Sequence, residues 1–210
     1  MDRETRIDLT LYAVTDRRWT SSLEDDVEKA IRGGATAVQL REKDISYSEF
    51  VSLAEGIKCI TDRYSIPFII NDNVDVALAV NADGVHIGQS DGNAKDIRKR
   101  IGNRILGVSV KTVEQAVKAE ADGADHLGCG AIFGTSSKDD ADKITTDTLR
   151  TICEAVSIPV VAIGGISEDN ITQLKGTGIK GVAVISAIFG QDDIEGAAKK
   201  LRTLSERVIS

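Results

Sequence analysis

The chain of 210 residues predicts a (β/α)8 barrel, and three observations carry that expectation. Eight short aliphatic runs alternate with segments of helical period along the whole chain. The runs are continuous instead of alternating, as parallel strands covered on both faces require. The two halves also echo each other: Ser65-Ile66-Pro67 precedes the third run and Ser157-Ile158-Pro159 the seventh, 92 residues on, and these hold the only two prolines. Each proline stands at a strand entrance, where a missing N–H costs little. Ala82-Asp83-Gly84-Val85, which leads into the fourth run, is matched by Ile179-Lys180-Gly181-Val182, which leads into the eighth.

The first strand is expected over residues 9–14 and leads into the polar turn Thr15-Asp16-Arg17-Arg18-Trp19. An open doubly wound sheet would need a glycine-rich first turn at this point, so it is the lesser reading. Trp19 either covers the mouth of the barrel or packs against it. Ser22 reads as an N-cap ahead of the acidic turn Glu24-Asp25-Asp26, and Gly33-Gly34 closes that helix. The second strand is expected over residues 37–40, followed by a helix over 48–61. The third and fourth strands fall at 68–70 and 84–87, and the fifth at 105–110 with a helix over 112–121. The sixth falls at 125–128. A long polar loop over 130–143 and a helix over 146–156 follow it. The seventh, at 160–163, opens into Gly164-Gly165 and an amphipathic segment over 170–175. The eighth covers 181–185. No linker or low-complexity tract interrupts the series, so residues 1–210 are expected to form one catalytic domain.

Composition narrows the function. The chain is 41% hydrophobic with only eight aromatic residues, which predicts an aliphatic core. The net charge of -7 argues against nucleic acid or an anionic membrane as the main partner. A bound anion must therefore be held by a local cluster. Cys59, Cys129 and Cys153 form no CxxC pair and read as buried or free thiols. The charged N-terminus has no apolar signal region, and no apolar stretch approaches the length of a membrane span. A cytoplasmic location is expected, with small molecules as partners; whether the chain forms a homo-oligomer stays open.

In a parallel barrel, ligands bind at the C-terminal ends of the strands. Those ends are rich in chemically capable residues here. Gln39, Arg41 and Lys43 stand at the second strand, Asn71 and Asp72 at the third, Asp91 after the fourth, and Ser109 on the fifth. Thr135, Ser136, Ser137 and Lys138 lie in the long loop after the sixth. Two aspartates with a lysine–arginine set suit a magnesium–diphosphate site, because Mg²⁺ takes one or two carboxylates plus phosphate oxygens and water. The bland reading of each residue alone is solvated surface charge. Gly164-Gly165 and Ile185-Ser186, nearly bare of charge, suit a phosphate held between the seventh and eighth loops by backbone N–H groups. The alternative there is a plain tight turn. His86 and His126 lie inside expected strands and read as hydrogen-bonded core residues, not catalysts.

These stretches also carry a resemblance. Leu11-Tyr12-Ala13-Val14-Thr15-Asp16, Val38-Gln39-Leu40-Arg41-Glu42-Lys43 and Ile70-Asn71-Asp72-Asn73 begin the series. Gly84-Val85-His86-Ile87-Gly88-Gln89-Ser90-Asp91, Gly107-Val108-Ser109, Ile163-Gly164-Gly165-Ile166 and Val184-Ile185-Ser186 complete it. Their order and spacing resemble the thiamine-phosphate synthase family. The resemblance implies a barrel enzyme that joins 4-amino-2-methyl-5-hydroxymethylpyrimidine diphosphate to a thiazole phosphate, releasing diphosphate. It implies that Gln39, Arg41, Lys43, Asn71, Ser109 and Lys138 bind the pyrimidine diphosphate. Of these, Lys43, Ser109 and Lys138 would also act in the chemistry. It assigns Mg²⁺ to Asp72 and Asp91, and the thiazole phosphate to Thr135, Ser136, Ser137, Gly165, Ile185 and Ser186.

The chain departs from the family pattern in two places. Phe133-Gly134-Thr135-Ser136-Ser137-Lys138 has glycine where proline is common, so a looser loop is expected. Gly92 follows Asp91 where a second acidic residue is frequent. Three alternatives fit the residues less well. A thiazole tautomerase shares the barrel but needs no diphosphate or metal residues, and it carries a histidine where this chain has Ala131. A non-catalytic phosphate-binding barrel has no use for the aspartate pair. A ribulose-phosphate-type epimerase wants more ligating histidines than His86 and His126.

Overall fold

A computed structural model describes residues 7–20, 22–134 and 144–210. Eight parallel strands close into a barrel in chain order. They are β1 (Leu11–Val14), β2 (Ala37–Leu40), β3 (Phe68–Asn71), β4 (Gly84–Ile87), β5 (Ile105–Val110), β6 (His126–Cys129), β7 (Val160–Ile163) and β8 (Gly181–Val184). The helices among the described residues are α1 (Leu23–Arg32), α2 (Tyr47–Tyr64), α3 (Val74–Ala79), α4 (Ala94–Ile101), α5 (Val113–Ala121), α6 (Thr146–Ala155), α7 (Ser186–Phe189) and α8 (Ile194–Ile209).

The continuous apolar runs are explained by two cores. Inside the barrel, Leu9, Tyr12, Val14, Ala37, Ile69, Ile105, Val161 and Ala183 pack together. The intervening residues, such as Leu11, Ala13, Val38, Leu40, Phe68 and Ile70, face the helices in a larger second core. Successive residues of a strand point to opposite faces. With both faces covered, no position along β1 or β2 is left to be polar for solvent.

The internal echo has a structural counterpart. The Val38 N–H donates to the Pro67 carbonyl at 3.0 Å, and the Leu127 N–H donates to the Pro159 carbonyl at 2.9 Å. Each proline thus ties its strand to the preceding one through its carbonyl, while its absent N–H breaks no ladder bond.

The strand expectations need small corrections. β1 begins at Leu11 instead of Leu9, and β3 runs one residue further, to Asn71. β6 is shifted by one, to His126–Cys129; Asp125 stands just before it, where its Oδ2 accepts the Leu106 N–H at 2.8 Å. β8 stops at Val184, where Ile185 turns the chain into α7. The segment over 170–175 is only a 3₁₀ turn, Ile171–Leu174. It is too short to nucleate an α-helix, and Gly176 and Gly178 beyond it hold φ of 78° and 88°. Ser22 stands at the N-cap position of α1 but makes no capping bond; its hydroxyl donates to Asp25 Oδ2 at 2.8 Å instead. Gly33-Gly34 does end that helix, Gly34 with φ 105°.

Candidate active site

Every strand delivers its last residues to one mouth, and the following helices begin there. Asn73 caps α3 by accepting the Val76 N–H, Asn93 caps α4, and Thr112 caps α5. Short, well-capped turns leave little slack in the residues just before them.

At β2, Gln39 is buried and its amide Nε2 donates to the Tyr12 hydroxyl at 2.8 Å. Arg41 is buried too. Its backbone N–H donates to Thr15 Oγ1 at 3.0 Å, and its Nη1 stands 3.5 Å from Asp16 Oδ2. Asp16 is a residue that sequence reasoning did not single out. Hydrogen bonding from Arg18, opposed by burial and helped by the charges of Arg18 and Arg41, holds its carboxyl below the ordinary value. It is therefore an anion that anchors Arg41. A guanidinium carries five N–H donors, so one long contact leaves capacity for phosphate oxygens.

Glu42 was also missed. Its side chain is almost wholly enclosed; Oε2 accepts from Arg17 Nε at 2.7 Å, while Oε1 has no hydrogen-bond partner among the described residues. Burial pushes its carboxyl pKa up, against the pull of Arg17. Only the apolar–polar switch at Leu40-Arg41 marked this turn in the sequence, and it did not distinguish Glu42 from the exposed Lys43 and Asp44.

A cleft of ≈ 400 Å³ opens beside these residues, lined among others by Glu42, Lys43, Asn71, Asp72 and Asp91. Four of the sequence-predicted residues thus meet in one space. Asp72 holds φ 62°, a left-handed conformation that costs a non-glycine residue of order 1 kcal/mol. Its N–H donates to the His86 carbonyl at 2.8 Å, which fixes the turn after β3 against β4. Asp91 Oδ2 accepts the Gly88 N–H at 2.7 Å, closing the turn after β4. Among the described residues no three metal-ligating side chains cluster. A pair of carboxylates in one cleft fits Mg²⁺, which draws its remaining ligands from phosphate and water, and does not fit a calcium cage.

On β5, Ser109 is half-buried. Its hydroxyl lies 3.0 Å from His86 Nε2, and its carbonyl accepts from Gln89 Nε2 at 2.7 Å. Across the mouth, Gly164 and Gly165 hold φ of 101° and 66°. A Cβ on Gly165 would collide with the carbonyl oxygens of Phe133 and Gly134, so glycine is required for the β6 and β7 loops to touch. The Asn170 amide donates to the Gly165 carbonyl at 2.8 Å. Ile185 and Ser186 are half-buried at the start of the short helix α7, directly after β8. Thr135, Ser136, Ser137 and Lys138 lie outside the described residues; the chain leading to them passes over Gly165. Trp19 is 41% exposed, and its ring edge stands next to Gly190, at the end of α7.

The thiols take no part in this mouth. Burial raises Cys129 to about 12 and Cys153 to about 11, so neither supplies a thiolate at neutral pH. Ala131 is buried just beyond β6.

The closed parallel barrel and its one polar mouth define a (β/α)8 enzyme that works at the C-terminal ends of its strands. The sequence model of the thiamine monophosphate synthase family matches residues 11–188, and the chain belongs to that family. It is 56% identical over 198 residues to a thiamine-phosphate synthase of Clostridium tetani, covering 93% of this chain and 95% of that one. It is 46% identical to thiamine-phosphate synthase 2 of Streptococcus pneumoniae over the full length of both. A solved thiamine phosphate pyrophosphorylase from Pyrococcus furiosus superposes with a TM-score of 0.91 at 42% identity, covering 98% of this chain and 99% of that one. The activity is that of a thiamine-phosphate synthase, a transferase of thiamine biosynthesis. No helix among the described residues is long and apolar enough to cross a membrane.

Proposed function

We propose that the substrates are 4-amino-2-methyl-5-hydroxymethylpyrimidine diphosphate and a thiazole phosphate, seated on opposite sides of the mouth. The observation that carries this reading is the division of the rim. Cations and carboxylates gather at β2 to β4, and uncharged backbone at β7 and β8. A diphosphate with its metal needs the first kind of surface, and a single phosphate monoester is met by the second.

Arg41, Lys43 and Lys138 would hold the diphosphate together with the Ser109 hydroxyl, with Gln39 and Asn71 placing the pyrimidine end. Asp72 and Asp91 would hold Mg²⁺, which when bound neutralises charge on the departing diphosphate. The bond between the pyrimidine methylene carbon and the diphosphate oxygen breaks, and its electron pair leaves on that oxygen. The fixed cations of the rim are in place before that charge develops, so they need not reorganise. The exocyclic amine of the pyrimidine stabilises the resulting cation. The thiazole nitrogen then donates its lone pair to the methylene carbon. No protein nucleophile is required, which agrees with the raised thiol pKa values.

Thr135, Ser136, Ser137, Gly165, Ile185 and Ser186 would anchor the thiazole phosphate. Holding both partners converts an encounter into a unimolecular step. The whole chain, residues 1–210, is read as one catalytic domain, acting on small molecules in the cytoplasm.

The test is direct. Purified protein with both substrates and Mg²⁺ should release thiamine phosphate and diphosphate in equal amounts, and chelation of the metal should stop it. Absence of product at generous enzyme concentration would refute the substrate assignment. Product formation that continues unchanged under chelation would remove the metal from it.

A further inference from the structure

Two imidazoles lie inside the barrel, beside Tyr12 and Gln39 in an interior that is mostly aliphatic. His86 is on β4 and His126 on β6, with β5 between them. In register, Gly107 of β5 pairs with both. Strands two apart are separated by about 9.6 Å, so the rings can meet only over the middle strand. Gly107 makes that possible. A Cβ there would stand 2.5 Å from His126 Nε2 and closer still to His86 Nδ1. Gly128, paired with Ser109, opens the next place: a Cβ there would be 3.2 Å from His86 Nε2.

The glycines let a chain of contacts form. His126 Nε2 lies 3.4 Å from His86 Nδ1, and His86 Nε2 lies 3.0 Å from Ser109 Oγ. The first contact is long and the second ordinary. The Tyr12 ring meets His126 edge-on, with centroids 5.8 Å apart, and Tyr12 in turn accepts from Gln39. Both ends of the series, Gln39 and Ser109, belong to the proposed pyrimidine-diphosphate side.

We propose that His126 and His86 are positioning residues that hold the Ser109 hydroxyl as a hydrogen-bond donor to the substrate. The inference rests on the reading of Ser109 given above. His126 has no exposed surface, and its burial lowers its pKa to about 4, so it carries one ring proton at neutral pH. Its Nδ1 has no hydrogen-bond partner among the described residues. A buried N–H without an acceptor is rarer in proteins than an unpaired acceptor, so the proton belongs on Nε2. From there it is donated to His86 Nδ1. The His86 proton is then on Nε2 and is donated to Ser109 Oγ. The Ser109 proton must point elsewhere. A diphosphate has acceptors only, so a serine with its proton free is matched to it. In the opposite arrangement Ser109 would donate to His86 and turn lone pairs toward an anion.

The chain has only two histidines, so two-bond proton–nitrogen NMR of the untagged protein shows just two imidazoles. At pH 8 both should be the Nε2–H tautomer. A His126 that is charged, or protonated at Nδ1, would overturn the inference whatever the kinetics show. In steady-state assays His126→Phe should lower kcat/KM for the pyrimidine diphosphate about tenfold. In a Ser109→Ala background the same change should lower it less than about twofold, because the two act as one unit. Effects that multiply independently would mean a merely structural His126 and would overturn the proposal. An unaltered rate in Ser109→Ala alone would refute the reading of Ser109, while the tautomers would still report on the histidine pair.

Discussion

Asp72 shows how much of the site depends on single residues. Its left-handed backbone, held by the His86 carbonyl, aims a carboxylate into a cleft shared with Asp91 and Lys43. Asn tolerates this conformation better than most residues. Asp72→Asn should therefore leave the fold and thermal midpoint nearly unchanged while lowering turnover by roughly 100-fold, the scale of losing one preorganised electrostatic group. A rate with unchanged Mg²⁺ dependence would take Asp72 out of the proposed metal site. His126 makes a prediction of a different kind. Its folded pKa of about 4 lies below the unfolded value near 6.5. The unfolded chain therefore binds its proton first as pH falls. The contribution of neutral His126 to stability is complete above pH 6.5 and declines toward pH 4, by roughly 3 kcal/mol at the limit. Urea unfolding between pH 7.5 and 4.5 should show this decline in the wild type and a flatter profile in His126→Phe. Equal slopes would contradict it.

The sequence identified both histidines as core residues, and their burial agrees. It did not reveal that His86 touches Ser109, because that contact depends on the register of three strands. The signal that could have found it was Gly107. An isolated glycine in a strand often marks a close approach.

At the scale of elements, one device recurs at the bottom of the barrel. The residue preceding β2, β4 and β6 accepts a backbone N–H from the strand before it. Thr36 Oγ1 takes the Leu11 N–H at 3.0 Å, Asp83 the Phe68 N–H at 2.9 Å, and Asp125 the Leu106 N–H at 2.8 Å. Each satisfies a donor that the ladder leaves over. Asp125 is also paired with Arg98, whose guanidinium reaches the carbonyls of Gly123, Gly102 and Arg104 as well. Asp125→Ala would remove the counter-charge of the guanidinium and strand the Leu106 N–H. It should cost about 3 kcal/mol in chemical denaturation. A loss within 0.5 kcal/mol of wild type would show that water replaces the carboxylate.

Strands were legible because each is a continuous apolar run ended by polar residues. Helix α3 was not, since Asn71-Asp72-Asn73 reads as a site cluster before it reads as a helix cap, and Val74–Ala79 is too short for a clear period. The amphipathic segment over 170–175 folds as the 3₁₀ turn Ile171–Leu174, because two apolar residues three apart fit either helical period.

At the scale of the whole molecule, closure turns eight scattered turns into one surface. Gln39 and Ile185 are far apart in sequence, yet β1 pairs with both β2 and β8. That ring order follows from the count of eight strands, so the gathering of the site could be foreseen. The anchoring of Arg41 by Asp16 and the enclosure of Glu42 could not, because both depend on how the β1 and β2 turns fold onto each other. Closure also separates the charged sector at β2 to β4 from the neutral one at β7 and β8, and the proposed mechanism depends on that separation. Initial rates measured against each substrate in Lys43→Ala and Ser186→Ala test it most directly. Lys43→Ala should raise KM for the pyrimidine diphosphate about tenfold and leave that for the thiazole phosphate within about twofold, and Ser186→Ala should do the reverse. If either substitution moved both KM values together, the two-sided mouth would be wrong.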